Sequence, residues 1–444
     1  MSLAAIVLAA GLGTRMKSQL PKVLHPLAGR PMLAHLLDGL TRLNPERVAM
    51  VIGPGQESVA KVAAPHQCVV QADRLGTAHA ALQARPLIDG FQGDVLILFG
   101  DTPLVTSQTM EKLILRRREK DDPAVVVLGF KPCDPAGYGR LVLNGEKLER
   151  IVEVKDATEI ERAIPWCNSG VMALDGKILF DLLSKIDNKN AKGEYYLTDL
   201  VGLARKAGRV CAMVEGTPEE LLGINSRAEL AQAESIVQNH MRASVMENGA
   251  TLIGPETVFF SWDTLLGRDV VVGPNVVFGP GVAVGDAVEI RPFSHLEGCK
   301  VADGATVGPF ARLRPGADIG RNAHIGNFVE IKKAVVEDGA KVNHLTYIGD
   351  ARVGAKANVG AGTITCNYDG FGKYHTDIGQ NAFIGSNSAL VAPVKIGDGA
   401  IVGAGSVITQ DVPAGALAVA RGRQSVIPGW AETFRAAKTQ KKDA

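Results

Sequence analysis

A glycine-containing loop near the N-terminus carries residue types that bind phosphate. Gly11 and Gly13 follow an apolar run that predicts a buried strand, and Arg15 and Lys22 come shortly after them. Free backbone N–H groups at such a loop can cradle phosphate oxygens, and neighbouring cations strengthen the attraction. The loop lacks the third glycine of the dinucleotide fingerprint and the Gly-Lys-Ser/Thr of a P-loop. The pattern predicts a phosphate site of another type, with an ordinary structural turn as the alternative.

A second group of polar residues lies far along the chain, within an otherwise apolar pattern. Arg314 and Lys332 are cations suited to a sugar phosphate, and Tyr347 is near them in sequence. His344 can accept a proton from an attacking amine near neutral pH, although an isolated histidine in a repeat is often only a packing residue. The neighbouring cations and tyrosine favour a catalytic role. Cys366 lies nearby in sequence, and a small half-buried residue is its favoured interpretation.

The elements that position the first group follow from an alternation of residue patterns. From Leu3 to about Gly223, short apolar runs alternate with segments of helical period. This predicts an α/β domain with a largely parallel sheet covered on both faces, in which ligands bind beyond the carboxyl ends of the strands. The apolar runs are Ala5–Ala10, Val48–Ile52, Val95–Phe99 and Ala124–Phe130, and the helical segments include Met32–Leu43 and Ser107–Arg118. Residues 226–248 carry few turn formers and predict one connecting helix.

A six-residue period of apolar positions governs the chain after this helix. The runs are Phe260, Leu266, Val272, Phe278, Val284 and Ile290; Val301, Val307, Leu313, Ile319, Ile325 and Ile331; and Ile378, Ile384, Leu390, Ile396, Val402 and Ile408. This period predicts a parallel β-helix with three flat faces, in roughly nine coils of about 18 residues. The segment from 251 to 444 also holds 28 of the 50 glycines, which predicts turns at the corners.

The period slips most clearly between Val359 and Ile378, where a polar and aromatic stretch interrupts it. Insertions in a solenoid become loops on one face, often the binding face. Asn367–His375 is therefore predicted to be a functional loop, and a tolerated surface insertion is the alternative.

Composition limits the class of partner. The chain has 48 Lys+Arg and 47 Asp+Glu, a net charge of +1, and only short basic runs such as Lys441-Lys442, so it offers no footprint for nucleic acid. The six cysteines are scattered without a Cys-x-x-Cys pair, which argues against a zinc site or a disulfide framework. The apolar run Leu3–Ala10 is too short to span a bilayer. We expect a cytoplasmic protein with small-molecule partners and no membrane insertion.

Blocks around these residues resemble the sugar-phosphate nucleotidyltransferases (pyrophosphorylases). In family order they are Leu8-Ala-Ala-Gly11-Leu-Gly13-Thr-Arg15, Pro21-Lys22, Gln71-Ala-Asp-Arg-Leu-Gly76-Thr77, Phe99-Gly-Asp101, Gly137-Tyr-Gly139-Arg, Ile151-Val-Glu153, Asn168-Ser-Gly170, Gly193-Glu-Tyr-Tyr-Leu-Thr-Asp199 and Gly223-Ile-Asn225. With the long hexapeptide domain and its polar clusters, nearly the whole chain resembles the bifunctional N-acetylglucosamine-1-phosphate uridyltransferase/glucosamine-1-phosphate N-acetyltransferase family. One departure is Phe99, where the uridyltransferases usually carry tyrosine.

The resemblance implies the fold class, the domains and the function. It implies an α/β, Rossmann-like nucleotidyltransferase domain (1–225), a linker helix (226–248), a left-handed parallel β-helix of hexapeptide repeats (249–430) and a C-terminal tail (431–444). The implied enzyme acetylates glucosamine-1-phosphate with acetyl-CoA, then joins the product to UTP and releases pyrophosphate. The resulting UDP-N-acetylglucosamine would supply precursors of peptidoglycan and lipopolysaccharide. Because hexapeptide sites usually form between subunits, we also expect a homotrimer through the β-helix.

At the first site the resemblance implies UTP and Mg²⁺. Asp101 and Asn225 would hold Mg²⁺, a hard cation that favours a few protein oxygens plus phosphate oxygens. Arg15 and Lys22 would bind the triphosphate and act in catalysis. Residues implied for uracil and ribose are Leu8, Ala9, Ala10, Gly11, Gln71, Gly76 and Thr77, and those implied for the sugar are Gly139, Glu153 and Asn168. From the residues alone, an aspartate at a strand end such as Asp101 is more often a helix cap or turn residue than a metal ligand, and Glu153 could be part of a solvated charge pair.

At the second site the resemblance implies His344 as general base, with Glu330 orienting it. Glucosamine-1-phosphate would be bound by Arg314, Lys332, Tyr347 and Asn358, and acetyl-CoA by Ala361, Asn367, Tyr368, Ser386, Ala404 and Arg421. Two other functions stay open. One is a single-site nucleotidyltransferase whose β-helix only assembles subunits, and the other is a non-enzymatic scaffold with degenerate sites.

Overall fold

The computed structural model of the 444-residue chain describes residues 2–135 and 137–440. The basic pair Lys441-Lys442 noted in the sequence lies outside the described residues. The chain divides into two compact units, Met1–Met241 and Arg242–Ala444. The division falls inside a single helix rather than in an irregular linker.

The strands of the first unit are β1 (Leu3–Leu8), β2 (Pro26–Leu27), β3 (Arg30–Pro31), β4 (Arg47–Ile52), β5 (Gln67–Val70), β6 (Asp94–Phe99), β7 (Val125–Phe130), β8 (Arg140–Asn144), β9 (Lys147–Val152), β10 (Cys167–Asp175) and β11 (Cys211–Glu215). Nine of them form one sheet: seven follow the order β11-β7-β10-β6-β1-β4-β5, and β8 and β9 add a hairpin to it. Strand β10 runs antiparallel to both its neighbours, while β1 is parallel to β4 and β6. The predicted, largely parallel sheet is confirmed, with β10 and the antiparallel hairpin of β8 and β9 as its exceptions.

Helices cover both faces of this sheet. They are α1 (Met32–Thr41), α2 (Glu57–Ala63), α3 (Thr77–Gln83), α4 (Arg85–Ile88), α5 (Ser107–Arg117), α6 (Glu159–Arg162), α7 (Leu179–Leu183) and α8 (Asp199–Lys206). All six residues of β1 are buried, and they alternate between two core clusters: Ile6 belongs to one and Val7 to the other. Burial on both sides explains why β1 is a continuous apolar run.

The carboxyl ends of β1 and β6 lie side by side, because these strands pair in parallel from Leu3–Asp94 to Leu8–Phe99. The chain leaves β1 toward β4 on one side and returns in β6 on the other. Such a switch in strand order opens a crevice beyond the strand ends. The glycine loop and Asp101 follow these two ends.

Helix α9 (Arg227–Glu247) leads into the second unit, whose strands are mostly two to four residues long. They are β12 (Thr251–Leu252), β13 (Leu265–Leu266), β14 (Val271–Val272), β15 (Val277–Phe278), β16 (Ala283–Val284), β17 (Glu289–Ile290), β18 (His295–Leu296), β19 (Lys300–Val301), β20 (Thr306–Val307), β21 (Arg312–Leu313), β22 (Ala317–Ile319), β23 (His324–Asn327), β24 (Glu330–Val336), β25 (Lys341–His344), β26 (Tyr347–Val353), β27 (Asn358–Val359), β28 (Ile364–Cys366), β29 (Thr376–Ile378), β30 (Phe383–Ile384), β31 (Ala389–Val391), β32 (Val394–Ile396), β33 (Ile401–Val402), β34 (Val407–Ile408) and β35 (Leu417–Ala418).

These strands stack in parallel on three faces of a prism. The first face is a ten-stranded stack from β12 to β35, so nine turns separate its ends. The other two faces join into one sheet, because β24 and β26 each bend around a corner and pair on both. The six-residue apolar positions point inward; Ile325, Ile331 and Val342, for example, are almost completely buried. The predicted α/β domain followed by a parallel β-helix is confirmed.

The glycines that follow the inward positions serve a purpose different from the one expected. Gly320 has no left-handed φ, but a β-carbon on it would lie 2.7 Å from the backbone nitrogen of Asp338 in the next coil. The glycine is needed because successive coils approach closely there. At the corners, the residues with left-handed backbone φ are partly other glycines, such as Gly399, and partly residues with side chains, such as Asn381 and Asn387.

The segment predicted as a C-terminal tail contains a helix, α10 (Trp430–Gln440). Its residues up to Thr439 are exposed, and the Trp430 and Phe434 rings stack with their centroids 5.0 Å apart. Among the described residues, no helix combines the length and the apolar character needed to cross a membrane.

Candidate active sites

One cavity of about 220 Å³ at the carboxyl ends of β1 and β6 gathers most of the residues implied for the nucleotide. Its lining includes Leu8, Ala9, Ala10, Gly11, Lys22, Gln71, Gly76, Thr77 and Asp101, which are all predicted, and also Arg74, Phe99 and Glu194. The crevice at the switch in strand order is therefore where these sequence blocks converge.

Three side chains far apart in sequence meet beyond the carboxyl end of β6. The Lys22 ammonium donates to Asn225 Oδ1 at 2.9 Å and forms an ion pair with the Asp101 carboxylate. Backbone contacts support this group, since the amide of Ile224 donates to the Asp101 carbonyl oxygen at 2.9 Å. The side chain of Glu229 accepts from the amide of Asn225 at 2.8 Å. The structure thus brings the two implied metal ligands together around one cation.

The donor set fits Mg²⁺. One carboxylate and one amide oxygen already converge on a positive group, and Mg²⁺ characteristically takes one or two such protein ligands with phosphate oxygens completing its shell. Within residues 2–135 and 137–440 there is no cluster of three or more His, Cys, Asp or Glu side chains that could cage a metal. A site made of Asp101 and Asn225 would thus depend on the nucleotide for its other ligands.

The uracil-side residues are fixed by tight backbone contacts. Gln71 is buried and donates through Nε2 to the Gly76 carbonyl at 3.1 Å. A β-carbon on Gly76, whose φ is +121°, would lie 2.5 Å from the Tyr195 carbonyl oxygen, so only glycine fits there. Thr77 begins α3, and its hydroxyl accepts from the amide of Leu197 at 3.1 Å. Arg15, by contrast, is exposed and lies outside the cavity lining.

The three residues implied for the sugar form a separate group. The amide of Asn168 donates to the Gly139 carbonyl at 2.9 Å, and a β-carbon on Gly139 would lie 3.6 Å from Glu153 Oε1. Glu153 accepts from the Thr198 hydroxyl at 3.3 Å and lines a second cavity of about 460 Å³ with Tyr196. Burial raises the pKa of the Glu153 carboxyl, and burial raises the pKa of Tyr196 to about 12.

Phe99 stands in the nucleotide cavity, where it offers an aromatic face without a hydroxyl. Its ring packs on the backbone of Gly170, at which a β-carbon would lie 2.7 Å from Phe99 Cε2. Gly170 lies in the bulged part of β10, between Asn168 and Met172. The ring therefore connects the nucleotide cavity to the sugar group through backbone packing.

In the second unit, the ring of His344 is exposed and held from one side. His344 Nδ1 lies 2.8 Å from Asn327 Oδ1, and a carbonyl oxygen can only accept a hydrogen bond. With Oδ1 facing the ring, this contact favours the tautomer that has its proton on Nδ1, and it leaves Nε2 free to accept a proton. This is the tautomer that a general base requires.

Glu330 does not orient this ring as expected. Asn327 and His344 occupy matching positions of successive coils, in β23 and β25, whereas Glu330 lies around the next corner in β24. The Glu330 carboxylate instead accepts from Arg314 Nη1 at 2.7 Å. The prediction that Glu330 orients His344 is corrected to Asn327 by the coil register.

The implied sugar-phosphate residues lie mainly on the face that begins after this corner. Arg314 follows Leu313, Lys332 follows Ile331, and these two inward residues pair, so the cations stand one above the other in adjacent coils. Lys332 pairs with Gly349, whose missing side chain leaves space for the Tyr347 hydroxyl and the Asn367 amide. Asn358 lies apart from this group, on the first face in β27.

Most residues implied for acetyl-CoA form one line along a corner of the prism. Backbone amides connect it coil by coil: Gly362 donates to the His344 carbonyl at 3.2 Å, Asn387 to Ala361 at 2.7 Å and Gly405 to Ser386 at 2.8 Å. Arg421 Nη1 donates to the Ala404 carbonyl at 2.5 Å. The corner line, defined as His344, Ala361, Ser386, Ala404 and Arg421, therefore places one residue in each successive coil.

Asn367 and Tyr368 lie in the inserted loop, directly after β28. They are therefore at the far edge of the face that begins at the corner line. Asn367 donates to Asp350 Oδ2 at 2.5 Å, and the Lys373 ammonium lies 4.5 Å from the centre of the Tyr368 ring. The amides of Phe371 and Gly372 donate to the Asp369 side chain, and these bonds lower the pKa of that carboxyl. The loop is thus internally hydrogen-bonded rather than a bare insertion.

Comparison with known proteins finds matches to both the first and the second unit of the chain. Residues 5–164 match the model of the MobA-like NTP transferase domain, and residues 298–333 and 375–410 match that of the bacterial transferase hexapeptide (six repeats). The chain is 65% identical to the bifunctional protein GlmU of Paramagnetospirillum magneticum, covering 99% of this chain and 98% of that protein. It is 66% identical to the bifunctional protein GlmU of Rhodospirillum rubrum, covering 98% and 97%.

The chain belongs to the GlmU family. The bifunctional family indicated by the sequence blocks is thereby confirmed. A third GlmU protein, from Sphingopyxis alaskensis, is 56% identical over 100% of this chain and 98% of its own length. Among solved structures, a UDP-glucose pyrophosphorylase complexed with UDP-glucose matches 54% of this chain and all of its own, at 18% identity and a TM-score of 0.44.

Sequence reasoning toward the GlmU family missed residues that the structure places at both sites. Arg74 lies inside the family block that begins at Gln71, and its Nε donates to the Ala10 carbonyl at 3.1 Å in the nucleotide cavity. Asn327 could have been found by counting back one coil, 17 residues, from His344. Glu194 also lies inside a family block, but no spacing rule connects it to the cavity.

Proposed function

We propose that this chain makes UDP-N-acetylglucosamine in two steps at two separate sites. Its second unit transfers an acetyl group from acetyl-CoA to glucosamine-1-phosphate. Its first unit then joins N-acetylglucosamine-1-phosphate to UTP and releases pyrophosphate, in support of cell-wall biosynthesis. The observation that carries the proposal is the similarity to bifunctional GlmU proteins over nearly the full length of both chains, with both sites inside the matched region.

The first unit supports in-line attack of a sugar phosphate on the α-phosphorus of UTP. This reaction needs positioning and charge neutralisation more than a covalent nucleophile. The glycine loop and Lys22 would hold the triphosphate, and Gly139, Glu153 and Asn168 would hold the sugar. When bound at Asp101 and Asn225, Mg²⁺ would neutralise charge on the phosphates. Arg15 would reach the triphosphate from the exposed side of the loop.

The second unit supports direct attack of the glucosamine amine on the acetyl thioester. His344 Nε2 takes a proton from the amine as its nitrogen forms the new amide bond with the thioester carbon. The carbon–sulfur bond breaks, and the proton held by His344 passes to the coenzyme A thiolate, which leaves as the thiol. Arg314 and Lys332, with Tyr347, would hold the sugar phosphate on the adjoining face. Acetyl-CoA would lie along the corner line, with Asn367 and Tyr368 approaching from the other edge or from another subunit. Asn358 would contact the sugar from the first face.

A homotrimer would complete these sites. Phe293, Phe310, Phe328 and Leu345 form an exposed ridge at the same corner as His344, with one residue in the coil of His344 and one in each of the three coils before it. The first two rings stack with centroids 4.9 Å apart, and the next pair with centroids 5.2 Å apart. All four residues have left-handed φ between 49° and 61°, a conformation that disfavours bulky side chains. Burial against a second copy would compensate both the exposure and the strain.

We also place the protein in the cytoplasm, where UTP and acetyl-CoA are available as substrates. The six cysteines in the described structure are all free thiols, which suits a reducing compartment.

The proposal is tested by one pair of assays on three proteins. Thiol release from acetyl-CoA with glucosamine-1-phosphate reports the second site, and pyrophosphate release from UTP with N-acetylglucosamine-1-phosphate reports the first. We expect His344→Ala to abolish only thiol release and Lys22→Ala to abolish only pyrophosphate release. A wild-type protein without thiol release would favour the single-site nucleotidyltransferase, and one without either activity would favour a scaffold.

A further inference from the structure

The first residue of α9 contacts two segments of the nucleotide site that belong to the start of the chain. Arg227 Nε donates to the Met16 carbonyl oxygen at 3.3 Å, and Arg227 Nη1 lies 3.2 Å from His25 Nδ1. Met16 directly follows Arg15 in the glycine loop. His25 directly follows the 3₁₀ turn Lys22–Leu24.

Both contacts are with buried groups. Met16 and His25 are 1% and 3% exposed. A guanidinium has donors only, so His25 Nδ1 accepts the hydrogen bond and the ring is neutral with its proton on Nε2. Burial, and after it the charge of Arg227, lower the pKa of His25, which agrees with this neutral form.

The two segments that Arg227 joins also touch each other. A β-carbon on Gly13 would lie 2.6 Å from Lys22 Cβ, so the glycine loop rests on the stem of that lysine. The amide of His25 donates to the Lys22 carbonyl at 3.2 Å, which fixes the backbone that carries the ammonium. A shift of either segment would therefore move Lys22.

The same helical turn holds an implied metal ligand. Asn225 lies two residues before Arg227, and Glu229 accepts from the Asn225 amide at 2.8 Å and from the Ser226 hydroxyl at 2.9 Å. Asn225 Oδ1 in turn accepts from the Lys22 ammonium at 2.9 Å. One turn of α9 thus carries side chains that fix the glycine loop, the lysine segment and Asn225.

We propose that Arg227 is a positioning residue for uridylyl transfer: its two hydrogen bonds set the glycine loop and Lys22 against Asn225. The inference rests on the proposed function of the first unit. Arg227 does not line the nucleotide cavity, so it acts through these neighbours rather than on the substrate. Displacement of a positioned group by about 1 Å can lower a rate as much as 100-fold.

The test compares Arg227→Ala and Arg227→Lys with the wild-type chain. We expect Arg227→Ala to lower kcat for pyrophosphate release roughly 10- to 100-fold. We also expect it to weaken UTP binding, measured by calorimetry without sugar phosphate. Millimolar guanidinium chloride should restore part of the rate. Arg227→Lys should fall between the two, because one ammonium cannot reproduce the two-pronged contact.

Two controls separate positioning from folding and from the proposed function. Thiol release by the same preparations should be unchanged. Arg242→Lys, in the same helix, removes an arginine that donates through Nε to the Val258 carbonyl at 3.0 Å in the second unit, and it should leave pyrophosphate release unchanged.

Wild-type kcat and KM in Arg227→Ala would overturn the positioning role. A loss of rate that merely tracks the folded fraction in circular dichroism, with no guanidinium rescue, would overturn it too. Absence of pyrophosphate release in the wild-type chain would instead overturn the proposed function.

Discussion

The side chains of each site were predictable as types, but their partners were not. Asp101 and Asn225 lie 79 and 203 residues after Lys22 along the chain, and no local sequence pattern indicates that the three side chains meet. Their residue types and the strand ends they follow could be read from the sequence. The contact itself depends on the order of strands in the sheet, which is a long-range property.

The partner of His344 shows how a repeat makes such contacts predictable. Asn327 is one coil before His344, and the same count forward gives Ala361. The expectation for Glu330 ignored the corner at Phe328, where the chain turns onto another face. Residue pairs in this unit are set by coil length rather than by nearness in sequence.

We predict that Asn327→Asp changes the pH dependence of acetyl transfer. A carboxylate at this distance from Nδ1 favours the imidazolium form, so the acid limb of the rate profile should move to higher pH. Asn327→Ala should lower kcat at least about tenfold, because both neutral tautomers become populated. The measurement is thiol release between pH 5 and 9.

Glu330→Gln is the matched control for this prediction. It keeps an acceptor for Arg314 but removes the charge, and it should leave the acid limb near its wild-type position. An unshifted profile in Asn327→Asp, with a shifted one in Glu330→Gln, would return the orienting role to Glu330.

Glu153→Gln should stabilise the first unit at neutral pH while impairing uridylyl transfer. Burial raises the pKa of Glu153 in the folded chain, so its ionised form costs stability there. Below the ordinary glutamate pKa of 4.5 the carboxyl is neutral in both states and the gain should vanish. It should appear as pH rises from 4.5 through the raised folded pKa and be fully present above it. Urea unfolding at pH 4 and pH 7 measures it, and an equal gain at both would contradict this account.

At the scale of elements, the periodicity of apolar residues located the strands and helices but did not give the direction of every strand in the sheet. The helical segments from Met32 and from Ser107 begin where predicted. The antiparallel course of β10 was not visible, because a buried strand has the same apolar pattern in either direction. The six-residue period succeeded because each face of the prism imposes the same inward spacing on every coil.

The two kinds of glycine in the β-helix should respond differently to substitution. Gly320→Ala places a methyl group 2.7 Å from the next coil and should lower the free energy of unfolding by about 2–3 kcal/mol. Gly399 has φ +64° and open space where a β-carbon would lie, so it should tolerate asparagine within about 0.5 kcal/mol and lose about 1 kcal/mol with alanine. Chemical denaturation, monitored by the loss of thiol release, compares the free energies of unfolding of the three variants. Equal losses for Gly320→Ala and Gly399→Ala would refute the distinction.

At the scale of the whole molecule, the exposed ridge gives a prediction about assembly. Phe310→Lys combined with Phe328→Lys should convert the proposed trimer to monomers in light scattering, because six lysine charges would lie within its apolar contacts. Thiol release should fall and pyrophosphate release should persist. Leu265→Lys, at a residue 67% exposed elsewhere in the prism, is the control and should remain trimeric. A trimer that survives the double substitution would exclude the ridge as its contact.

The corner line sets fixed distances along the β-helix. Each coil advances by one strand spacing, about 4.8 Å, so the three coil steps from His344 to Ala404 span roughly 14 Å. Deleting or duplicating a whole coil would change that span by one strand spacing and leave each remaining coil intact. The inserted loop at 367–375 adds residues at another corner without altering the count. If acetyl-CoA lies along this line as proposed, deletion or duplication of a coil would change the length of thioester carrier that fits, without changing His344 itself.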